Sequence, residues 1–120
     1  MTEKEFWVFM NKSYEKGRIP MVSGCVNPRG IEGPSRYIGG HALLPADYES
    51  IPKETIVEFG ELLRGRATSL ETKEAILMIL AHHVSREALN ILVAYNKNPD
   101  VEVAIFAELA LQECEMWNEY

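Results

Sequence analysis

Hydrophobic residues recur at helical spacing through the second half of the chain. From residue 53 onward they form four stripes, at residues 56–63, 76–83, 88–96 and 103–117, separated by short polar segments. Apolar positions that repeat every three or four residues are typical of helices with one buried face. The pattern therefore predicts four consecutive helices, packed as an antiparallel stack.

The ends of these helices are marked by residues that favour helix termini. Thr68 and Glu71 have the spacing of a capping box, in which each side chain bonds the free amide of the other residue. Ser85 and Asp100 are placed to cap the third and fourth helices, because a side-chain oxygen there accepts an unpaired backbone N–H. Gly65 directly follows the first stripe, where a glycine commonly ends a helix.

The last stripe is broader than a single helix contact requires. Six of its residues share one face: Val103, Phe106, Ala107, Ala110, Cys114 and Trp117. Ile105 and Leu109 widen this face, so we expect the helix to pack against two neighbours rather than one.

The N-terminal segment predicts one further helix, from Glu3 to Tyr14 or Glu15. Thr2 and Glu5 form another pair with capping-box spacing at its start. Its apolar stripe is rich in aromatic residues and consists of Phe6, Trp7, Met10 and Tyr14, with Phe9 beside it. Such a stripe needs a partner surface, because alone it would be insoluble.

Residues 17–52 differ in kind from both helical parts. They contain six of the eight glycines and five of the six prolines, and they show no helical period. Two short apolar runs, at 19–22 and 37–44, are candidates for a β-hairpin, although the pair Gly39–Gly40 weakens the second run. We therefore divide a single domain, residues 1–120, into an N-terminal helix (1–16), a Gly/Pro-rich irregular segment (17–52) and the helical stack (53–120).

Residues 69–117 resemble HEAT-type repeats, in which pairs of helices stack into a curved solenoid. The resemblance rests on three stretches: residues 85–92 (SREALNIL), 98–103 (NPDVEV) and 107–111 (AELAL). The family often has an arginine where this chain has Ala104, so its basic ladder is missing here. The resemblance implies an all-α fold, a short right-handed α-α stack of HEAT-like helical hairpins.

A stack this short leaves apolar ends. Such repeats contact only their neighbours, and about three are needed to bury a continuous core, whereas this chain offers about two. We therefore expect the N-terminal helix or a second copy of the chain to close an open end. Trp117 and Tyr120 are the candidate contact residues for either role.

Composition and charge narrow the class of protein. The hydrophobic fraction of 47% is that of a folded chain rather than a disordered one. Residues 1–52 carry six basic and six acidic groups, whereas residues 53–120 carry six basic and twelve acidic groups, so the helical half holds the whole net charge of −6. Proteins that bind a nucleic acid backbone need clustered Lys and Arg, and we therefore expect no direct binding of DNA or RNA.

The sequence also predicts a cytoplasmic protein without a membrane segment. No apolar window approaches the roughly 18 uncharged residues of a membrane span, and charged residues occupy the N-terminal stretch where a signal peptide needs an apolar core. Cys25 and Cys114 lie far apart, one in the Gly-rich segment and one on a predicted helix. We expect both to be reduced thiols.

Candidate small-molecule chemistry is concentrated in the Gly/Pro-rich segment. Arg29, Arg36 and His41 can surround an anion together with the backbone amides of nearby glycines. The segment lacks the Lys-Ser/Thr ending of a phosphate-binding loop, so the alternative is a plain connection whose arginines pair with the acidic half. Cys25 and His41 also allow a Cys–His nucleophile pair, but no third residue is placed to orient it.

His82 and His83 are adjacent, and a helix points neighbouring side chains about 100° apart. They therefore do not form a two-ligand metal site. We expect one of them in the core and the other in water near a helix C-terminus, where positive charge is favoured. The sequence predicts no metal site, no cofactor and no catalytic residue.

These observations favour a non-catalytic protein–protein interaction module or small adaptor that uses its helical surface. The interaction residues would be Trp117, Tyr120, Glu113 and Glu115, since the glutamates lie near a helix C-terminus and point to a basic partner. The partner is another protein or a second copy of the chain. Two alternatives stay open. One is a small-ligand (anion) binding protein or minor enzyme with Arg29, Arg36 and His41 at its site, between residues 17–52 and the helices. The other is an acidic inhibitor of a basic protein.

Overall fold

The structure, a computed structural model, describes residues 1–15 and 48–118, without the side chains of residues 13–15. Within these residues the chain forms α-helices and 3₁₀ turns and no strand, which confirms the all-α prediction. The helices are α1 (Glu3–Glu15), α2 (Lys53–Leu63), α3 (Leu70–His82), α4 (Arg86–Asn96) and α5 (Ala104–Asn118), with 3₁₀ turns at Tyr48–Ser50 and Val101–Val103. The hairpin expected at 19–22 and 37–44 lies outside the described residues.

Two helix starts are those that the sequence predicts. The N–H of Thr2 donates to Glu5 Oε1 at 2.7 Å, and the N–H of Glu5 donates to Thr2 Oγ1 at 3.1 Å, which completes the capping box of α1. At the start of α4, Ser85 Oγ accepts the N–H of Ala88 at 3.1 Å. These caps satisfy amides that the first turn of each helix leaves without partners.

The predicted capping box of α3 is wrong by one residue. Ser69 is the N-cap, and its hydroxyl accepts the N–H of Thr72. Thr68 instead donates its hydroxyl proton to the carbonyl of Leu62 at 2.7 Å, which ties the end of α2 to the loop. Gly65 is needed there for space, since a Cβ at this position would lie 2.6 Å from Thr68 Oγ1.

The start of the last helix also differs from the prediction. The chain first makes a 3₁₀ turn at Val101–Val103, and Asp100 precedes it without a side-chain cap. The Asp100 carboxylate turns instead to Lys73 of α3, whose Nζ lies 2.7 Å from Oδ2. Asp100 therefore forms an ion pair with a buried lysine instead of capping the helix.

The helices from α2 onward form two layers. Each contacts the next one along the chain, α2 also contacts α4, and α3 also contacts α5. Alternate helices therefore lie side by side, with α3 and α5 in one layer and α2 and α4 in the other. This arrangement confirms the packed helical stack, while its HEAT-like character stays a prediction.

Helix α3 is enclosed on all sides. Every residue from Thr72 to His82 is buried, the polar Lys73 and Glu74 included. The helix contacts α2, α4, α5 and both 3₁₀ turns. Its polar side chains must therefore find partners inside the protein, which decides where the buried charged groups lie.

The aromatic stripe of α1 covers α2. Phe6 is fully buried and meets the ring of Phe59 edge to face, with ring centroids 5.1 Å apart. Phe9 makes a second edge-to-face contact with Phe59 at 5.6 Å. Trp7 reaches α3, where its Nε1–H donates to Thr72 Oγ1 at 2.9 Å. The N-terminal helix therefore supplies a covering surface to the stack.

Candidate functional site

The residues proposed for an anion or nucleophile site, Arg29, Arg36, His41 and Cys25, lie outside the described residues, and so does Tyr120. The other predicted contact residues, Glu113, Glu115 and Trp117, lie on the last turns of α5. Helix α5 therefore carries the described part of the predicted interaction surface.

The outer face of α5 carries a row of exposed apolar side chains. Ile105 is 55% exposed and Met116 is 48% exposed, with the half-buried Leu109 between them. Since each residue turns the helix by about 100°, these three side chains lie within about 40° of one another around its axis. Val101, in the preceding 3₁₀ turn, is 88% exposed.

Helix α5 packs against two neighbours, α3 and α4, as its broad apolar face predicts, but Ile105 takes no part in that packing. The inner face of α5, with Phe106, Ala107, Ala110 and Cys114, is buried against the neighbouring helices. Leu109 reaches the edge of that core, but Ile105 remains more than half exposed. The broad apolar face detected in the sequence is thus only half used within the described residues.

Carboxylates border the exposed row on both sides. Glu108 and Glu115 lie along one edge, and Glu113 lies along the other, nearly opposite Glu115 around the helix. Helix α5 contains no Lys or Arg, and Glu102 adds a further carboxylate in the turn before it. The surface is therefore apolar along its centre and negative at its edges.

Glu113 is tied to the core as well as to the surface. Its side chain is 18% exposed, and Oε2 lies 2.8 Å from Nε2 of the buried His82. The indole N–H of Trp117 donates to the same oxygen at 3.4 Å. Glu113 and Trp117 are thus brought together as predicted contact residues, whereas Glu115 points away from them.

Both ring nitrogens of His82 lie against hydrogen-bond acceptors. Nδ1 lies 2.9 Å from the carbonyl of Met78, which can only accept a hydrogen bond. The Glu113 carboxylate at Nε2 also only accepts, so the ring links α3 to α5. The ring of Tyr48 packs edge to face on the imidazole of His82, with ring centroids 5.8 Å apart. Burial of Tyr48 raises the pKa of its hydroxyl.

His83 is structural. Its Nε2 lies 2.8 Å from the carbonyl oxygen of Ile51, and its Nδ1 lies 2.8 Å from Ser85 Oγ. The expectation that one of the two histidines faces water is wrong, since His82 and His83 are 9% and 5% exposed. The cause is the burial of α3 on every side, which a helical period does not reveal.

A second polar cluster lies at the opposite end of α3. Lys73, whose side chain is 5% exposed, pairs with Asp100, and the hydroxyl of Tyr95 donates to the same carboxylate oxygen. Hydrogen bonds from Lys73 and then Tyr95 lower the pKa of Asp100. Burial, followed by the bond to Asp100, raises the pKa of Tyr95 well above its ordinary value.

Tyr95 and Asp100 of this cluster line a surface depression of about 390 Å³. Its lining residues come from the α2–α3 loop and from the end of α4: Arg64, Arg66, Ala94, Tyr95, Asn98 and Asp100. No local motif marks the depression in the sequence, because its two halves lie about 30 residues apart and meet only when α2 packs on α4.

Cys114 is a buried free thiol. Its side chain is fully buried, and burial raises the pKa of the thiol to about 11. Asn118 Nδ2 donates to its sulfur at 3.3 Å and so holds the end of α5 against this part of the core. Cys114 has no disulfide partner among the described residues, and Cys25 lies outside them.

Two further kinds of site are missing from residues 1–15 and 48–118. They contain no cluster of three or more His, Cys, Asp or Glu residues arranged to hold a metal ion. None of the helices described there is long and apolar enough to cross a membrane. No protein-family model matches the sequence, and neither a curated protein nor a solved structure was found to be similar to it.

Proposed function

We propose that this protein is a non-catalytic interaction module that binds a basic amphipathic helix of another protein along the outer face of α5. The observation that carries the proposal is the row Ile105, Leu109 and Met116, in which Ile105 and Met116 are about half exposed and which carboxylates border. We include in the proposal a HEAT-like character for the stack of α2 to α5, supported by the sequence resemblance and by the contacts between alternate helices.

The spacing of the row favours a helical partner. Side chains four and seven residues apart form a ridge along a helix, and such a ridge packs into the groove of a second helix. Single exposed aliphatic residues are common on protein surfaces, whereas a row of them with polar borders is typical of contact sites. Ile105 and Met116 would then be the anchors of the contact.

The negative charges of α5 favour a basic partner. Every charged side chain on α5 is a glutamate, so lysines and arginines beside the apolar face of a partner helix would meet opposite charges. A second copy of the chain is a poorer occupant, because it would bring Glu108 and Glu115 of both copies close together. The earlier alternative of an acidic inhibitor is the special case in which the basic partner is an enzyme or toxin.

A cytoplasmic location is part of the proposal. Cys114 is a free thiol, and reduced cysteines are typical of proteins in reducing compartments.

Calorimetric titration with synthetic helical peptides tests the proposed contact. One peptide carries leucine on one face and lysine on the other, and a second has serine in place of each leucine. We expect the first to bind and the second not to bind, with binding of the first weakening as salt is added. Equal binding of both peptides would reduce the interaction to charge alone and contradict a specific site.

Matched substitutions locate the contact. Ile105→Ser and Met116→Ser should each weaken binding by about tenfold, as expected for anchor residues. Val57→Ser on α2 is the control, because Val57 is 45% exposed and lies on another helix. A self-associating protein whose dimer is dissolved by Ile105→Ser in sedimentation equilibrium would assign the face to a second copy instead.

A further inference from the structure

The depression between the α2–α3 loop and the end of α4 holds two arginines that have no anionic partner among residues 1–15 and 48–118. Arg64 and Arg66 are both exposed and line the same depression. Among the described residues, neither guanidinium forms an ion pair or a hydrogen bond. In a chain with a net charge of −6, two unpaired cations at one concave surface are unexpected.

The carboxylate in the depression is already neutralised. Asp100 accepts hydrogen bonds from Lys73 and Tyr95, and Lys73 is almost fully buried beneath it. The lysine cancels the aspartate charge, so Arg64 and Arg66 leave the depression positive. Glu102 lies close enough to influence Tyr95, and its single charge does not balance the two arginines.

The remaining lining groups fit a small molecule. Asn98 is exposed at the rim and carries both amide donors and a carbonyl acceptor, while Ala94 and the ring of Tyr95 supply apolar surface. A volume of about 390 Å³ lies within the range of small-ligand sites. Tyr95 and Lys73 hold the Asp100 carboxylate in place at this surface.

We infer that this depression binds a small phosphate monoester, with Arg64 and Arg66 holding the phosphate group. A guanidinium donates two parallel hydrogen bonds to one oxyanion, and a phosphate has enough oxygens to accept from two guanidinium groups at once. A carboxylate is satisfied by one of them. The organic part of the ligand would rest on Ala94 and Tyr95, with Asn98 bonding a polar substituent. The site is independent of the outer face of α5.

The test is a titration of the ¹⁵N-labelled protein with phenyl phosphate, followed by amide chemical shifts. We expect saturable shifts at Arg64, Arg66 and Asn98, and binding about tenfold weaker for benzoate, which presents the same ring on a carboxylate. The double variant R64A/R66A should lose at least about tenfold in affinity. The control is R86A, which removes an exposed arginine at the far end of α4.

Three results would overturn the inference. One is an absence of saturable shifts with phenyl phosphate at millimolar concentration. Another is unchanged binding by R64A/R66A, or by R64K/R66K, because lysine keeps the charge but loses the two-pronged hydrogen bond. The last is tighter binding of a phosphoserine peptide than of phenyl phosphate, which would assign the arginines to a phosphorylated protein.

Discussion

Glu3 binds Ser69, the N-cap of α3, which lies 66 residues further along the chain. Its Oε2 accepts the hydroxyl proton of Ser69, the N-cap of α3, at 2.5 Å, and its Oε1 accepts the Ser69 N–H at 3.2 Å. The hydroxyl of Thr72 donates to Oε2 as well, at 2.6 Å. The first turn of α1 is thereby fastened to the first turn of α3, on which the rest of the stack packs.

Removing the charge of Glu3 should destabilise the fold. We expect Glu3→Gln to lower the free energy of unfolding by about 1 kcal/mol, because hydrogen bonds to an ionised group are stronger than those to a neutral amide. Urea unfolding at neutral pH measures the loss. Glu61→Gln, at an exposed position on α2, should leave the midpoint unchanged, and an equal loss in both variants would contradict this role of Glu3.

The Glu3 carboxylate should also make the stability of the fold depend on pH. Hydrogen bonds from Ser69 and then Thr72 lower the pKa of Glu3 below its ordinary value of 4.5. A lowered pKa means that the folded state holds the proton less tightly than the unfolded state. The stabilisation is therefore complete above pH 4.5 and is lost as the pH falls through the pKa of the folded protein. Glu3→Gln should flatten this part of the stability profile, and an unchanged profile would contradict the assignment.

Gly60 allows α2 and α4 to approach closely. A Cβ at this position would lie 2.8 Å from Cδ1 of Ile91 and 3.0 Å from its Cγ1. Alanine gains about 1 kcal/mol over glycine from helix propensity, but overpacking costs about 1–3 kcal/mol, so Gly60→Ala should be destabilising by about 1 kcal/mol. Ile91→Val removes the nearest atom, and the penalty of Gly60→Ala should fall in that background. A purely additive double variant in urea unfolding would contradict this contact.

Asp100→Asn should lower the free energy of unfolding, because a buried lysine then lacks its counter-charge. The substitution leaves Lys73, 5% exposed, without its counter-charge. We expect a loss of about 2 kcal/mol in the free energy of unfolding, less than for a fully buried pair because the Asp100 side chain is 40% exposed. The double variant Lys73→Met, Asp100→Asn should recover part of the loss, since no unpaired charge then stays in the core. No recovery would show that the ion pair does not hold this end of α3.

Cys114 should be inert in the folded protein. Its sulfur is buried and its thiol pKa is about 11, so both access and ionisation oppose reaction at pH near neutrality. In a Cys25→Ser background, a thiol reagent should label the protein only after unfolding in urea. Rapid labelling of the folded variant would contradict the burial of this face of α5.

The sequence predicts the helices better than their partners. Periodicity finds α1 and the four later helices, and local caps such as those of Thr2 and Ser85 can be read directly, because both partners lie within one turn. The bonds of Glu3 to Ser69 and of Lys73 to Asp100 span 66 and 27 residues, and they depend on how the helices pack. Asp100 illustrates the difference: its local pattern indicates a cap, and the packed structure uses it as a counter-ion.

The candidate sites also contain residues that local patterns predict and residues that only packing brings together. Trp117, Glu113 and Glu115 could be named from their place near the end of a helix, and the width of the apolar face pointed to a second packing surface. That Ile105 would be left exposed could not be predicted, since burial is decided by the neighbours that fold against a face. Arg64 and Arg66 were missed for a related reason, because the depression they line exists only between two elements.

The enclosure of α3 has a consequence for the history of the sequence. A helix with a solvent-exposed face tolerates substitutions on that face, but the stretch from Thr72 to His82 has no such face. Substitutions in this stretch must preserve volume and polar partners on every flank, so neutral drift should be slowest there and fastest on the outer faces of α2 and α4. Sequence similarity to distant relatives should therefore persist longest in these eleven residues.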